Sequence, residues 1–262
     1  FGVFFAPTLS TSNRATIGGM ASTDACGQGS RIYGRTSNHV LALSLVLANG
    51  EQVITQALSS EALRLKIEAG DEVAKIYEQV SELVSQKQAA INARFPKLNR
   101  FMTGYNLAHI HTNAGFDLSK LICGSEGTLA LVSELTLKLT PIPKAKELLV
   151  LSYSSFDEAL RDANVLVQQN PDAIETIDDT IINLAKEDVI WPKVSAYLDK
   201  EDGQHVAAIN LVEFGGMDRA KLAEKIDGIC NTLVAGQSRF DRINNANDMA
   251  NFWELRKKGV GL

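Results

Sequence analysis

The chain has 262 residues with 26 Lys and Arg against 31 Asp and Glu, 45% hydrophobic residues, 19 Gly and 6 Pro. This is globular composition and excludes disordered, collagen-like and low-complexity classes. A formal charge of -5, with no clustered Lys and Arg, argues against a nucleic-acid surface and points to a small-molecule partner.

Phe1 to Phe5 opens without an initiator Met or a signal sequence, and a helix over Asn251 to Lys258 stops soon after at Gly259. Both ends are expected to lie inside a longer protein. Residues 6–37 are rich in Gly, Ser, Thr and Asn and predict one long functional loop. Leu43, Leu45 and Leu47 then alternate with smaller residues before Asn49-Gly50, with Gln52 to Thr55 as the returning arm of a hairpin. Between Ser60 and Arg94 the period becomes helical. Gly70-Asp71 is a break and fresh N-cap, Phe95-Pro96 is the stop, and Val73, Ile76, Tyr77, Val80, Leu83 and Val84 are expected on one face.

A second glycine-rich segment, Cys123 to Thr128, runs into a strand over Leu129 to Leu139, where Leu135, Leu137 and Leu139 alternate with Thr136 and Lys138. Past Pro141 the rhythm is strand (Glu147 to Tyr153), helix (Phe156 to Gln169), strand (Ala173 to Asp178), short helix (Thr180 to Glu187), strand (His205 to Phe214), helix (Asp218 to Val234), strand (Ser238 to Ile243). Ser155 with Glu158 reads as a capping box. Leu222, Ile226, Ile229 and Leu233 stripe the last long helix. The order predicts an α+β protein with a boundary near Pro141 and a ferredoxin-like second domain with helices on one face.

Chemistry-bearing motifs are sparse. Thr16-Ile17-Gly18-Gly19-Met20 would let backbone approach an anion closely, with Ser10, Thr16, Ser22 and Thr23 adding hydroxyls, although an adjacent glycine pair is more often turn chemistry. No GxGxxG or GxxxxGK[ST] signature occurs, which disfavours Rossmann and P-loop sites. Cys26, Cys123 and Cys230 are odd in number and far apart. They support neither a disulfide framework nor a metal site, and they fit a reducing, cytoplasmic setting. No stretch is apolar enough for a spanning helix. His109 and His111, two apart, would share one face of a strand, but without a third ligand they read as solvated loop histidines. His39 and His205 stand alone, and Glu175, Asp178 and Glu213 are expected at strand ends of the second domain, where they read as scaffold or rim carboxylates and not as bases.

Ala6 to Ser10, Ala15 to Met20, Tyr33-Gly34, Leu47 to Glu51 and Cys123 to Leu129 occur in an order that resembles the vanillyl-alcohol-oxidase-type (PCMH-type) FAD enzymes. Thr103 to Leu107, Ala173 to Asp178, Val212 to Phe214 and Phe252 to Arg256 extend the resemblance to their D-lactate and D-2-hydroxyglutarate dehydrogenase branch, and most to the large bacterial D-2-hydroxyglutarate dehydrogenases with an iron–sulfur region.

The resemblance implies the second half of an FAD-binding domain over residues 1–142, its first subdomain lying before Phe1, and a cap or substrate domain over residues 143–262. It implies FAD held by Pro7, Thr8, Thr16, Ile17, Gly18, Gly19, Thr23, Asp24, Ala25 and Cys26 from one side. Glu126, Gly127, Thr128, Leu129, Ala130, Leu131 and Val132 would hold it from the other, mostly through backbone. A flavin thioether at Cys26 is conceivable, with a small packing residue the favoured role. Arg256 matches an arginine that grips a substrate carboxylate, a task suited to its forked donors. Without the resemblance it would read as a solvated arginine beside Lys257 and Lys258. Val260 stands where the branch can carry a threonine. The implied activity is oxidation of a D-2-hydroxy acid by an FAD dehydrogenase. The alternatives are a flavin oxidase of another alcohol and a non-catalytic scaffold module.

Overall fold

Residues 6–37 are better organised than their composition predicts. In the computed structural model, which describes residues 1–98, 104–199, 205–236 and 238–259, the two-residue strand β1 (Val3–Phe4) is followed by three short helices, α1 (Ile17–Ser22), α2 (Ser30–Tyr33) and α3 (Thr36–His39). Helices of four to six residues cannot show a 3.6-residue period, so Gly and Thr content alone made this stretch look like loop. Gly18 and Gly19 lie within α1, whose N-cap is Thr16.

The hairpin forms as its alternation requires. Strands β2 (Val40–Val46) and β3 (Gln52–Gln56) pair antiparallel around the turn, where Gly50 has φ +85°. Two longer helices follow, α4 (Ser60–Glu68) and α5 (Glu72–Arg94), the second capped by Asp71. The buried face of α5 is Val73, Ala74, Tyr77, Val84 and Ile91, with Val80 partly buried. Ile76 and Leu83, expected on that face, are exposed on its flank, because the burying stripe follows 73, 77, 84 and 91 and is narrower than the apolar set.

After a short 3₁₀ turn (Leu107–His109) come the small strands β4 (His111–Thr112) and β5 (Gly115–Phe116) and helix α6 (Ser119–Ile122). His109 and His111 therefore do not share a strand. Strand β6 (Leu131–Leu137) completes a sheet of order β3-β2-β6. Leu135 and Leu137 are half-buried, whereas Leu139 lies past the strand and is exposed.

The chain divides into two compact units, residues 3–140 and 141–262. The two-residue strand β7 (Thr140–Pro141) falls at the division. The second unit runs β8 (Ala145–Tyr153), α7 (Phe156–Leu166), β9 (Ala173–Asp178), α8 (Asp179–Lys186), α9 (Trp191–Leu198), β10 (Ala208–Gly216), α10 (Arg219–Ala235), β11 (Arg239–Ile243) and α11 (Ala246–Lys258). Its sheet has the ferredoxin-like order β11-β8-β10-β9 with every neighbouring pair antiparallel.

Helices cover both faces of that sheet, not one. Leu148, Val150, Ile209 and Leu211 pack with α8, α9 and α11 residues such as Ile182, Val194, Phe252 and Leu255. Leu149, Leu151, Val212 and Phe214 pack with Leu166 and with the α10 stripe Leu222, Ile226, Ile229 and Leu233. The sequence signal was present in the continuous run Leu148 to Leu151, since a strand buried on both faces does not alternate. Helix α9 escapes a sequence reading because Pro192 looks like a breaker, yet proline is tolerated in a helix's first turn. Only half of the expected capping box forms. Ser155 accepts from Glu158 N, while the Glu158 carboxylate accepts from Ser154 Oγ.

Candidate functional site

The two glycine-rich stretches, about a hundred residues apart in sequence, are bonded to each other. Gly124 N donates to Ala21 O (3.0 Å) and Glu126 N to Ser22 O (2.9 Å), so the turn after α6 is tied to the end of α1. Ala21, Ile122, Cys123 and Ala130 share one apolar cluster with Val40, Leu43 and Leu45 of the sheet. The turn needs its composition, because Gly124 (φ +87°), Glu126 (φ +53°) and Gly127 (φ +79°) all occupy the left-handed region.

Hydroxyls brace this surface from within. Thr16 Oγ1 accepts from Gly19 N (3.1 Å), and Thr23 Oγ1 donates to Gly19 O (3.0 Å). Thr128 Oγ1 donates to Ser125 O (2.6 Å), so the Tyr105 phenol, 2.8 Å from Thr128 Oγ1, is the donor of that pair. Pro7 is buried, and Thr8 presses its backbone on Gly27, where a Cβ would lie 1.7 Å from Thr8 O. Outward, Thr8, Thr16, Gly19, Thr23, Glu126, Gly127 and Thr128 are exposed, as are Ile17, Leu129 and Leu131. Gly18, Ala25, Cys26 and Val132 are half-buried and Ala130 is buried. The result is a wall of small residues and backbone with an apolar rim.

Asp24 belongs to the support behind that wall. Its carboxylate accepts from Ser37 N (2.8 Å) and Ser37 Oγ (3.1 Å) and pairs with the buried Arg35 guanidinium (3.2 Å). Arg35 Nη2 lies 3.2 Å from His109 Nδ1. A guanidinium only donates, so Nδ1 accepts and the ring proton sits on Nε2. Burial first, and then the Arg35 charge, hold the His109 pKa below the ordinary histidine value. Asn106 Nδ2 also reaches His109 Nδ1 (2.9 Å). Lys120 Nζ donates to Ser37 O (2.6 Å) and Val40 O (3.1 Å). Burial pushes the Cys123 thiol up to about 12, so it stays protonated. His39 contacts Tyr33 O (2.7 Å) and Lys138 O (3.3 Å).

Sequence reasoning gave no role to Arg35, Asn106, Lys120 and Tyr105, and it read His109 as a solvated loop histidine; the residue is exposed, as expected, but its Nδ1 is engaged by Arg35 and Asn106. The available signal was their position beside the recognised motifs, Tyr33-Gly34 and the segment Thr103 to Leu107, of which Thr103 lies outside the described residues, as does Val260.

In the second unit Arg256 is not a solvated arginine. It projects from α11 with Nε 3.2 Å from Glu175 Oε2 on β9, both side chains about one-quarter exposed. One turn earlier Trp253 Nε1 donates to Glu213 Oε2 (2.8 Å), whose other oxygen accepts from Lys146 Nζ (2.8 Å). Asp178 caps α8 by accepting from Ile181 N (3.1 Å). Glu175 and Glu213 are thus the acceptors that fasten α11 to the sheet, and both sit mid-strand, not at strand ends.

The chain thus carries a surface of glycine turns and apolar side chains in one α+β unit and a half-buried arginine in a ferredoxin-like second unit. The same fold occurs in solved alkyldihydroxyacetonephosphate synthase, with TM-score 0.59 at 15% identity over 98% of this chain and 38% of that one. Residues 1–56 match the family described as FAD binding domain, and residues 142–262 match FAD linked oxidases, C-terminal domain. The chain belongs to the FAD-linked oxidase family. It is 41% identical to D-2-hydroxyglutarate dehydrogenase of Escherichia coli (strain K12), over 100% of this chain and 27% of that protein. Against the protein of the same name from Pantoea ananatis (strain AJ13355) the identity is 39%, over 100% and 26%. The chain thus spans about a quarter of the length of these curated relatives. No helix among the described residues is long and apolar enough to cross a membrane.

Proposed function

We propose that this chain is part of an FAD-dependent dehydrogenase that oxidises the CH–OH group of a D-2-hydroxy acid, D-2-hydroxyglutarate or D-lactate. The observation that carries the reading is the pair of backbone bonds joining Ala21 and Ser22 to Gly124 and Glu126, which makes one continuous wall of the two stretches assigned to FAD. The fit to a flavin nucleotide rests on this wall. A Cβ at Gly18 or Gly127 would meet nothing within 4 Å, so ligand atoms can approach the backbone there, and Ile17, Leu129 and Leu131 offer apolar contact to a flat ring.

Bound FAD would accept the hydride, and the protein supplies orientation and charge complementarity. Pro7, Thr8, Thr16, Ile17, Gly18, Gly19, Thr23, Ala25 and Cys26 would line it from one stretch and Glu126 to Val132 from the other. Asp24 contributes by holding its own loop, not by a side-chain contact. Arg256 would bind the substrate carboxylate. The reading includes a cytoplasmic location, on the odd and separated cysteines, and an iron–sulfur region outside these 262 residues, on the resemblance alone.

The test is the complete protein purified under mild conditions. A flavin absorbance that bleaches anaerobically on adding D-2-hydroxyglutarate or D-lactate is expected. Colourless protein that takes up no FAD overturns the reading.

A further inference from the structure

We infer that Glu175 is a positioning residue that sets the direction in which Arg256 presents its guanidinium, so that a substrate carboxylate is met end-on by the two terminal nitrogens. The inference rests on the reading of Arg256 as the carboxylate-binding residue and adds how that residue is aimed.

A guanidinium offers a carboxylate two forked faces, a side-on face through Nε and one terminal nitrogen, and an end-on face through both terminal nitrogens. Glu175 Oε2 takes the Nε position at 3.2 Å, which removes the side-on face from use. The end-on pair makes no hydrogen bond to the described residues, and with a side chain about one-quarter exposed it is open to a ligand.

The base of the side chain is equally constrained. Phe252 and Leu255, flanking Trp253 and Arg256 on α11, are buried in the apolar cluster over the sheet. The Trp253 to Glu213 bond fixes the same helix one turn earlier. Glu175 and Leu211 are register partners on β9 and β10, and Glu213 lies two residues beyond Leu211. Both acceptors therefore stand on the α11 side of the sheet. Of the charged groups around it, Lys146 is occupied by Glu213 and Lys258 by Asp188, so Glu175 is the carboxylate matched to Arg256.

The experiment is steady-state kinetics on the complete FAD-loaded enzyme with D-2-hydroxyglutarate, alongside flavin absorbance and thermal midpoint as checks on folding. Arg256→Ala comes first. If it leaves KM within about twofold, the carboxylate-binding role of Arg256 is wrong. Given that it raises KM, Glu175→Ala is expected to raise KM about tenfold with kcat changed less than about threefold. Glu175→Gln keeps an acceptor for Nε and should stay within about threefold of the parent. In the Arg256→Ala background Glu175→Ala should add less than about twofold, since it acts through the arginine. If Glu175→Ala does not fold, Glu175→Leu takes its place with the same expectations. The inference is overturned if Arg256→Ala raises KM while the acceptor-free variant leaves it unchanged, if Gln is as damaging as Ala, or if the effect persists without Arg256.

Discussion

The two units are held together by opposite means. Around the glycine wall of the first unit the buried groups include Arg35, Thr36, Ser37, Asn106, Asp117 and Ser119, while Ile17, Leu129 and Leu131 lie at the surface. In the second unit Leu148 to Leu151 and Ile209, Leu211, Val212 and Phe214 are fully buried, and the charged pairs sit toward the margins of that core. A surface made largely of backbone has few side chains of its own to pack, so hydrogen bonds and a buried ion pair hold it from behind alongside the small cluster of Ala21, Ile122, Cys123 and Ala130. A site built on one long side chain needs a rigid helix, and an apolar sandwich supplies that.

The contrast is broken most severely at Phe252, fully buried beneath α11. Phe252→Ala should cost about 3–5 kcal/mol, transfer and cavity terms together. Denaturant unfolding of the 262-residue chain followed by tryptophan fluorescence reports this unit alone, because Trp191 and Trp253 are the only tryptophans in these residues and both lie in it. A loss below about 1 kcal/mol would mean that the sandwich is not what fixes α11.

In the first unit the matching lesion is electrostatic. Asp24→Asn preserves shape, and asparagine tolerates φ +46°, but it removes the carboxylate charge that pairs with the buried Arg35. Breaking such a pair costs about 3 kcal/mol. Lost hydrogen-exchange protection at Thr36 and Ser37, whose amides bond to Ala25 O and Asp24 Oδ1, is the expected local signature. Unchanged protection there would show that the pair is not the brace.

How much of this was legible before the structure follows from the same contrast. The second unit could be read almost strand by strand, because sheet and helix periods over runs of nine to seventeen residues are the strongest sequence signals. The doubly covered sheet, the proline-led α9, half of the Ser155 capping box and the first turn of α11, which begins at Ala246 and not at Asn251, were missed or misread. In the first unit the hairpin, Asp71 and the two glycine stretches were legible. The ion pair and hydrogen bonds of Arg35 were not, because no periodicity links residues 24, 35, 37, 106, 109 and 120. That Gly18 and Gly19 are helical was hidden by a helix of six residues. The pairing of Arg256 with Glu175, 81 positions apart, could not be read from spacing either.

Glycine substitutions sharpen the comparison at the wall itself. Gly127→Ala places a side chain at φ +79° and should cost about 1–2 kcal/mol. Gly18→Ala has helical backbone and open space around the new methyl, so it should stabilise the protein by about 0.5–1 kcal/mol. Both should weaken FAD binding if the wall is the contact surface, which flavin titration of the complete apoprotein measures. If Gly18→Ala raises stability and leaves FAD affinity unchanged, α1 does not face the cofactor.

The smallest effect is a slope. Partial desolvation of the His109 ring and the nearby Arg35 and Lys120 charges, against the opposing pull of Asp24, disfavour a second proton. Its folded pKa lies below the ordinary value of about 6.5, so between the two the folded state binds fewer protons than the unfolded chain. The stability this supplies is complete above about pH 6.5 and falls as the pH drops toward the lowered value. Glutamine at this position keeps an acceptor oxygen for Arg35 and does not titrate. His109→Gln should therefore resemble the parent at pH 8 and lose less thermal midpoint on going to pH 5.5. Parallel midpoint curves for the two proteins would show that the Arg35 contact to Nδ1 does not discriminate between the charged and neutral ring.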